Sequence, residues 1–300
     1  MEILKGVAMN DMAQDFSRTF DAIEHVDLRV RDIDDALGFY SGVAGLEVGE
    51  KTTDTATLRD PGGDPIVMLT SEGVTRPAER RAAGLFHTAI RFPTRASLGE
   101  ALGRLASAGY QIGAGDHGVS EALYIDDPDG NGVELYWDRP RDQWPVPKAG
   151  ERVGMYTAPV DLQDLLAAGD VDGAIPTAAP SGTDIGHVHL QAKDIDETTE
   201  FYRDVLGLDL MAKFGGQASF LSSQGYHHHI GANVWNSLGQ GPAGPDHAGL
   251  ARIVFRVSKL DELDKLRDRL SVAGREPRSE NGTVTVQDPN GVELVFRPAA

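Results

Sequence analysis

The chain contains no cysteine. That absence excludes disulfides, thiolate zinc sites, iron–sulfur clusters and a cysteine nucleophile. Positive charge is also scarce: 28 Lys and Arg stand against 46 Asp and Glu, a formal net charge of −18. A duplex nucleic-acid partner needs a basic footprint, and an anionic membrane surface attracts cations, so neither is expected. No run approaches the roughly 18 apolar residues of a membrane helix. The opening MEILKGVAMNDMAQDFSRTF lacks the apolar stretch of a secretory signal. These features, with the missing thiols, predict a cytoplasmic protein. No G-x-G-x-x-G or Walker A string opens a helix, and no G-x-S-x-G is present. Nucleotide binding and α/β-hydrolase chemistry therefore have no support. What is present is globular: 40% hydrophobic and 25% charged residues, in a length that exceeds one small core.

The chain repeats itself. Residues 25–46, HVDLRVRDIDDALGFYSGVAGL, align without a gap on residues 187–208, HVHLQAKDIDETTEFYRDVLGL. Eleven of the twenty-two positions are identical. In each copy a strand-like stretch follows the His, and Asp32 or Asp194 is placed to cap a helix with an acid three residues on. Gly45 and Gly207 then end the helices. Short strand-like runs follow: TATLRD and PIVMLT in one copy, ASFLSS and HHIGANVW in the other.

Two weaker copies begin at LFHTAIRF and LARIVFRV, and their ends correspond as DPDGNGVELYW and DPNGVELVF. The pattern is four βαβββ modules, an α+β fold of cupped mixed sheets with helices outside. The predicted division is an arm over 1–21, a first domain over 22–140, a linker over 141–183 and a second domain over 184–298. The linker is rich in Pro, Gly and Ala, with a short helix predicted at VDLQDLLAAG.

Four such modules, with His near the first strand and Glu in the last, resemble the vicinal oxygen chelate superfamily, which includes glyoxalase I, extradiol dioxygenases and bleomycin resistance proteins. The strings DHGVSEALYIDDPDGNGVELY, IGHVHL and YHHHIGANVW are most similar to Bacillus-type catechol 2,3-dioxygenases. The resemblance implies paired modules, each pair a cup around a cleft. It also implies metal ligands on the first and fourth strands of a module. Its activity would be extradiol cleavage of a catechol-like diol by O₂. The alternatives are a glyoxalase-type isomerase, which usually uses more carboxylates, and a non-catalytic small-molecule binder.

Filling those slots by alignment of the Asp-Pro-Gly turns gives His25 and Val67, His87 and Glu134, His187 and His229, then Arg252 and Glu293. Two imidazoles and one carboxylate on one face of a metal suit non-heme Fe(II), with Mn(II), Zn(II) or Ni(II) also accommodated. Sequential pairing offers His187, His229 and Glu293 as the first choice. His25, His87 and Glu134 form the alternative site. A cross-pair of the middle modules would collect His87, Glu134, His187 and His229. Arg252 threatens the first choice, because it could pair with Glu293.

Strand alternation places His227 and His229 on one face and His228 on the other. His227 and His189 are then left for acid–base or orienting work, and the resemblance adds His117 and Tyr124 as groups that protonate or hold substrate. The Leu260, Leu263, Leu266 and Leu270 series reads as helix core. A homo-oligomer is left open.

Overall fold

The computed structural model describes residues 16–170 and 174–299. Among the described residues, sixteen strands and four α-helices follow the modular pattern, and a fifth α-helix stands in the 141–183 segment. In chain order the strands are β1 (Ala22–Arg29), β2 (Glu47–Lys51), β3 (Thr55–Arg59), β4 (Pro65–Thr70), β5 (Gly84–Phe92), β6 (Gly113–Asp116), β7 (Ser120–Asp126) and β8 (Gly132–Asp138). The second half supplies β9 (Asp184–Gln191), β10 (Asp209–Phe214), β11 (Ala218–Ser222), β12 (Ile230–Asn233), β13 (Gly249–Val257), β14 (Arg278–Glu280), β15 (Thr283–Gln287) and β16 (Glu293–Pro298). The helices are α1 (Ile33–Gly42), α2 (Arg95–Ser107), α3 (Leu162–Ala168), α4 (Ile195–Glu200), continued by a π turn, and α5 (Leu260–Val272). None of the helices among the described residues is long and apolar enough to cross a membrane.

The repeated helices form for the reasons legible in the sequence. Asp32 accepts from the amides of Asp34 and Asp35, and Asp194 from those of Asp196 and Glu197. These bonds satisfy donors that have no partner inside the helix. Gly45 and Gly207 adopt φ of 80° and 82°. The following amides of Leu46 and Leu208 bond back to the carbonyls of Tyr40 and Tyr202, which closes each helix.

The modules do not pair in sequence order. One sheet runs β14-β15-β16-β13-β1-β4-β3-β2, joining the first module to the fourth. The other runs β10-β11-β12-β9-β5-β8-β7-β6, joining the second to the third. Segments 22–140 and 184–298 are thus not two closed cups; each supplies half of both. The physical reason lies at the seams. Where β1 meets β13, Asp27 faces Arg252 and accepts from its guanidinium at 2.9 Å. Where β5 meets β9, Arg91 faces Asp184 and donates to it at 2.6 Å. Cross-strand pairs of opposite charge specify partners at such seams.

Residues 141–183 are not a spacer. The backbone of α3 approaches α2 so closely that a Cβ at Gly99 would lie 2.2 Å from the carbonyl of Leu165. Ala158 bridges Asp116 beside β6, while Val153 and Met155 are buried. The arm also ends inside the fold: Phe20 is buried and packs on Phe255. Residues 1–15 of the predicted arm lie outside the described residues.

Between the sheets, β1 and β9 lie back to back, with Val26 and Leu28 of one and Val188 and Leu190 of the other in a common core. Each helix also ties two modules together. Tyr40 donates to Asp127, and Tyr202 donates to Asp288 at 3.0 Å. Burial raises the Asp288 carboxyl above its ordinary 3.8. The folded state therefore holds a proton more tightly than the unfolded chain. The stability carried by this group is fully present below 3.8 and is lost as pH rises through the raised value. Urea midpoints for wild type and Asp288→Asn across pH 4 to 7 should show this slope in the wild type and a flatter one in the variant.

Candidate metal centre and cavity

The second cup brings three donors together from three neighbouring strands. On β5, Ala89 lies between Glu134 of β8 and His187 of β9, and His87 sits two residues away opposite His189. Residues two apart share a strand face, so His87, Glu134, His187 and His189 all point the same way. Ala89 between them has no bulk to separate the larger side chains.

Glu134 Oε2 lies 2.9 Å from His87 Nε2 and 3.2 Å from His187 Nε2. The three donors fall within 4.8 Å of one another and are all buried, the one such group among the described residues. A facial set with metal–ligand bonds of about 2.1 Å at right angles needs donor separations of about 3 Å. His187 Nε2 meets Glu134 Oε2 in hydrogen-bond geometry, whereas His87 Nε2 approaches the same oxygen without it and has no other partner. A buried ring nitrogen without a partner calls for an explanation, and a cation between the three donors provides one for His87 Nε2.

Protonation agrees. Burial lowers His187 to about 4, and lowers His189 and His228 well below the ordinary imidazole range. Burial by itself would raise Glu134, but the facing His187 and His87 outweigh it and hold the carboxylate well below the usual range. Neutral imidazoles and an ionised carboxylate are the states that bind divalent metals.

The donors form the floor of a cavity of about 350 Å³. His117 and Tyr124 line it. His117 Nδ1 donates to the Tyr156 carbonyl at 3.2 Å, so its Nε2, 2.7 Å from the Tyr124 hydroxyl, is the acceptor of that phenol. Burial and the nearby Glu134 carboxylate push the Tyr124 phenol well above its usual value, so it stays protonated.

The triple histidine departs from expectation. Residues 226–229 are irregular, and β12 begins only at Ile230. Alternation therefore does not apply, and it is His228 that lines the cavity, packed on His187 with ring centroids 4.2 Å apart. His227 stands behind it, 2.8 Å from His228 Nδ1 and 2.8 Å from an Asp138 oxygen. His229 points away, with its Nδ1 accepting from the Ser223 amide and its ring edge-on to Phe20. His229 is thus a packing residue held by the hairpin.

The other first-choice donors are also apart. Glu293 belongs to the other sheet, where Arg252 and Arg278 bind it. The turn alignment that selected Glu293 is two residues out. Asp127 accepts from the amides of Asp129 and Asn131, and Asp288 accepts from those of Asn290 and Val292. Asp126 then pairs with Gly132, and Gln287 with Glu293. Glu293 is therefore the counterpart of Gly132, and Val295, opposite Val254, fills the position of Glu134. By the same register Gly231, opposite His189, fills it in the third module and Met68, opposite Asp27, in the first. The first cup holds His25 and Arg252 but no carboxylate at those positions. His25 contacts Glu24 and Asp27 instead. The spacing carried the warning: three residues separate Asp-Pro from Gly-Val-Glu-Leu in the second module and one in the fourth, and matching the letters rather than the Asp-Pro turn absorbs that difference of two.

Residues 22–135 and 184–296 match the family model described as "Glyoxalase/Bleomycin resistance protein/Dioxygenase superfamily". The chain is 40% identical over 279 residues to the catechol-2,3-dioxygenase of Bacillus subtilis (strain 168), covering 91% of this chain and 96% of that protein. Among solved structures, a Bacillus subtilis protein described as a candidate dioxygenase superposes with a TM-score of 0.65 at 15% identity, covering 94% of this chain and 86% of the other. Glyoxalase I of Zea mays superposes with a TM-score of 0.55 at 16% identity, covering 92% and 91%. At those identities the structures speak for the fold alone.

Proposed function

The chain belongs to the glyoxalase/bleomycin resistance protein/dioxygenase superfamily, and on that footing we propose that it is a non-heme Fe(II) extradiol dioxygenase acting on a catechol-like diol. The observation that carries this reading is the convergence of His87, Glu134 and His187 beneath one cavity. These residues would hold the metal, and a bound Fe(II) would supply open positions for two vicinal oxygens and O₂. The overall reaction balances without a further reductant. One ring C–C bond beside the diol breaks, both atoms of O₂ enter the product, and catechol, C₆H₆O₂, becomes 2-hydroxymuconic semialdehyde, C₆H₆O₄.

The chain's own residues supply the rest. Val119, Met155 and Phe220 wall the cavity against water. His228 and His189 present neutral rings beside the donors. His117 Nε2 is the acceptor positioned to take a proton, and the Tyr124 hydroxyl shuttles it between the cavity and that nitrogen. Asp138 and His227 orient His228 from behind.

Protein reconstituted anaerobically with Fe(II) should take up about one equivalent. On exposure to catechol and air it should consume one O₂ per diol, with a yellow ring-cleavage product. Isomerisation of a 2-oxoaldehyde–thiol adduct without oxygen uptake would replace this reading with the glyoxalase-type one. His117→Ala should keep its iron and lose turnover by about 10²–10⁴-fold, as for a missing general acid or base.

A further inference from the structure

The ring-cleavage reading leaves the diol's substituents open, and the walls of the same cavity bear on them. A cavity of about 350 Å³ falls within the roughly 300–1,000 Å³ range that encloses drug-sized ligands. A catechol ring has only eight non-hydrogen atoms. Above the donors, one aromatic wall runs outward without a break. Phe220 stands edge-on to His228, and Phe214 stands edge-on to Phe220. Beside it, Phe86 contacts His189, and Trp235 contacts both. Trp235 is 50% exposed, Tyr156 44% and Phe214 40%, so three large rings are held half in water at the mouth. Exposed apolar patches rimming a cleft mark binding surfaces.

Charge is missing from these walls. Glu134 on the floor is the one Asp, Glu, Lys or Arg among the lining residues described. The ring nitrogens of His117 are both engaged, one by the Tyr156 carbonyl and one by Tyr124. A carboxylate carried on the substituent would lose its hydration and find no Lys or Arg along these walls. It would also meet a chain of net charge −18, whose field opposes anions.

We infer that this site takes catechols bearing an uncharged apolar substituent, alkyl or aryl, laid along the Phe220–Phe214 and Phe86–Trp235 walls toward the mouth, and rejects catechols bearing a carboxylate. The inference rests on the ring-cleavage reading for its substrate core and on the cavity for its substituent.

The test compares catechol, 4-ethylcatechol, 3,4-dihydroxyphenylacetate and the methyl ester of that acid. With Fe(II)-loaded protein, kcat/KM for 4-ethylcatechol should exceed that for catechol about tenfold, the yield of burying two more carbons. The ester should exceed the free acid by about a hundredfold or more, beyond the roughly fourfold that its one added carbon contributes, since esterification removes the charge. Trp235→Ala should bring the 4-ethylcatechol to catechol ratio down toward one. Dissociation constants on metal-free protein, read by calorimetry, should rank the four compounds in the same order. Equal kcat/KM for ester and acid, or a preference for the acid, overturns the inference while leaving ring cleavage intact. Cleavage of none of the four overturns the ring-cleavage reading. The binding order alone then decides, the same ranking upholding the apolar preference and a flat or reversed one ending it.

Discussion

Substituting His187 with Ala should empty the metal site and abolish diol cleavage, while His25→Ala, His229→Ala and Glu293→Gln should leave both in place. His187 supplies one of three donors, and its Nε2 lies 3.2 Å from Glu134 Oε2. Losing an outer partner of a metal ligand typically costs about 10–100-fold in affinity or activity, so losing a ligand itself should exceed a hundredfold. The isosteric Glu134→Gln should behave alike, because it removes the anionic donor and leaves the packing around it. His229 is bonded to the Ser223 amide beneath Phe20, and Glu293 is bound by Arg252 and Arg278 on the other sheet. Neither can reach the donors. Iron content beside kcat for the five variants checks the assignment, with circular dichroism to confirm that each is folded. Retention of iron by His187→Ala together with its loss from His229→Ala would contradict it.

Severing the chain between residues 140 and 184 separates sequential from crossed pairing with a larger effect still. Neither half should fold or bind metal alone, and co-expression should restore both. The β5–β9 and β1–β13 seams each join one strand from either half, so an isolated half exposes two open sheet edges and the core between β1 and β9. Unpaired edges beside apolar surface favour aggregation. His87 and Glu134 come from the first half and His187 from the second, so no half carries the full donor set. The measurement is the far-ultraviolet spectrum and iron content of each half and of the pair. A first half that folds and binds iron by itself would refute the crossed architecture.

Much of this was open to a reader of the sequence. The aligned segments at His25 and His187 announce repeated units with capped helices, and the Asp32 and Asp194 caps sit where the alignment puts them. His87, Glu134, His117 and Tyr124 were all named as functional from their places in two strings, and the cavity collects the four. The triple histidine was misread because alternation presumes a strand, and the backbone there becomes one only at Ile230. Glu293 was misread because similar letters after an Asp-Pro turn need not share its hydrogen-bond register. A shift of two residues keeps the strand face and still moves the side chain along the strand by about 7 Å.

By itself the sequence determined most of what depends on near neighbours along the chain: most strands and helices, their caps, the number of modules, and the residue types able to ligate. Those are set by bonds that close within a few residues, so local letters are enough. Which module meets which was decided only by the tertiary structure. Each first strand offers an edge that any other could pair with, and the choice falls to contacts made after folding: Arg91 on Asp184, Arg252 on Asp27, and Ala89 small enough to stand between Glu134 and His187. The donor set straddles that seam: the sequence offered it only within the cross-paired alternative, with His229 added, and the seam selected it.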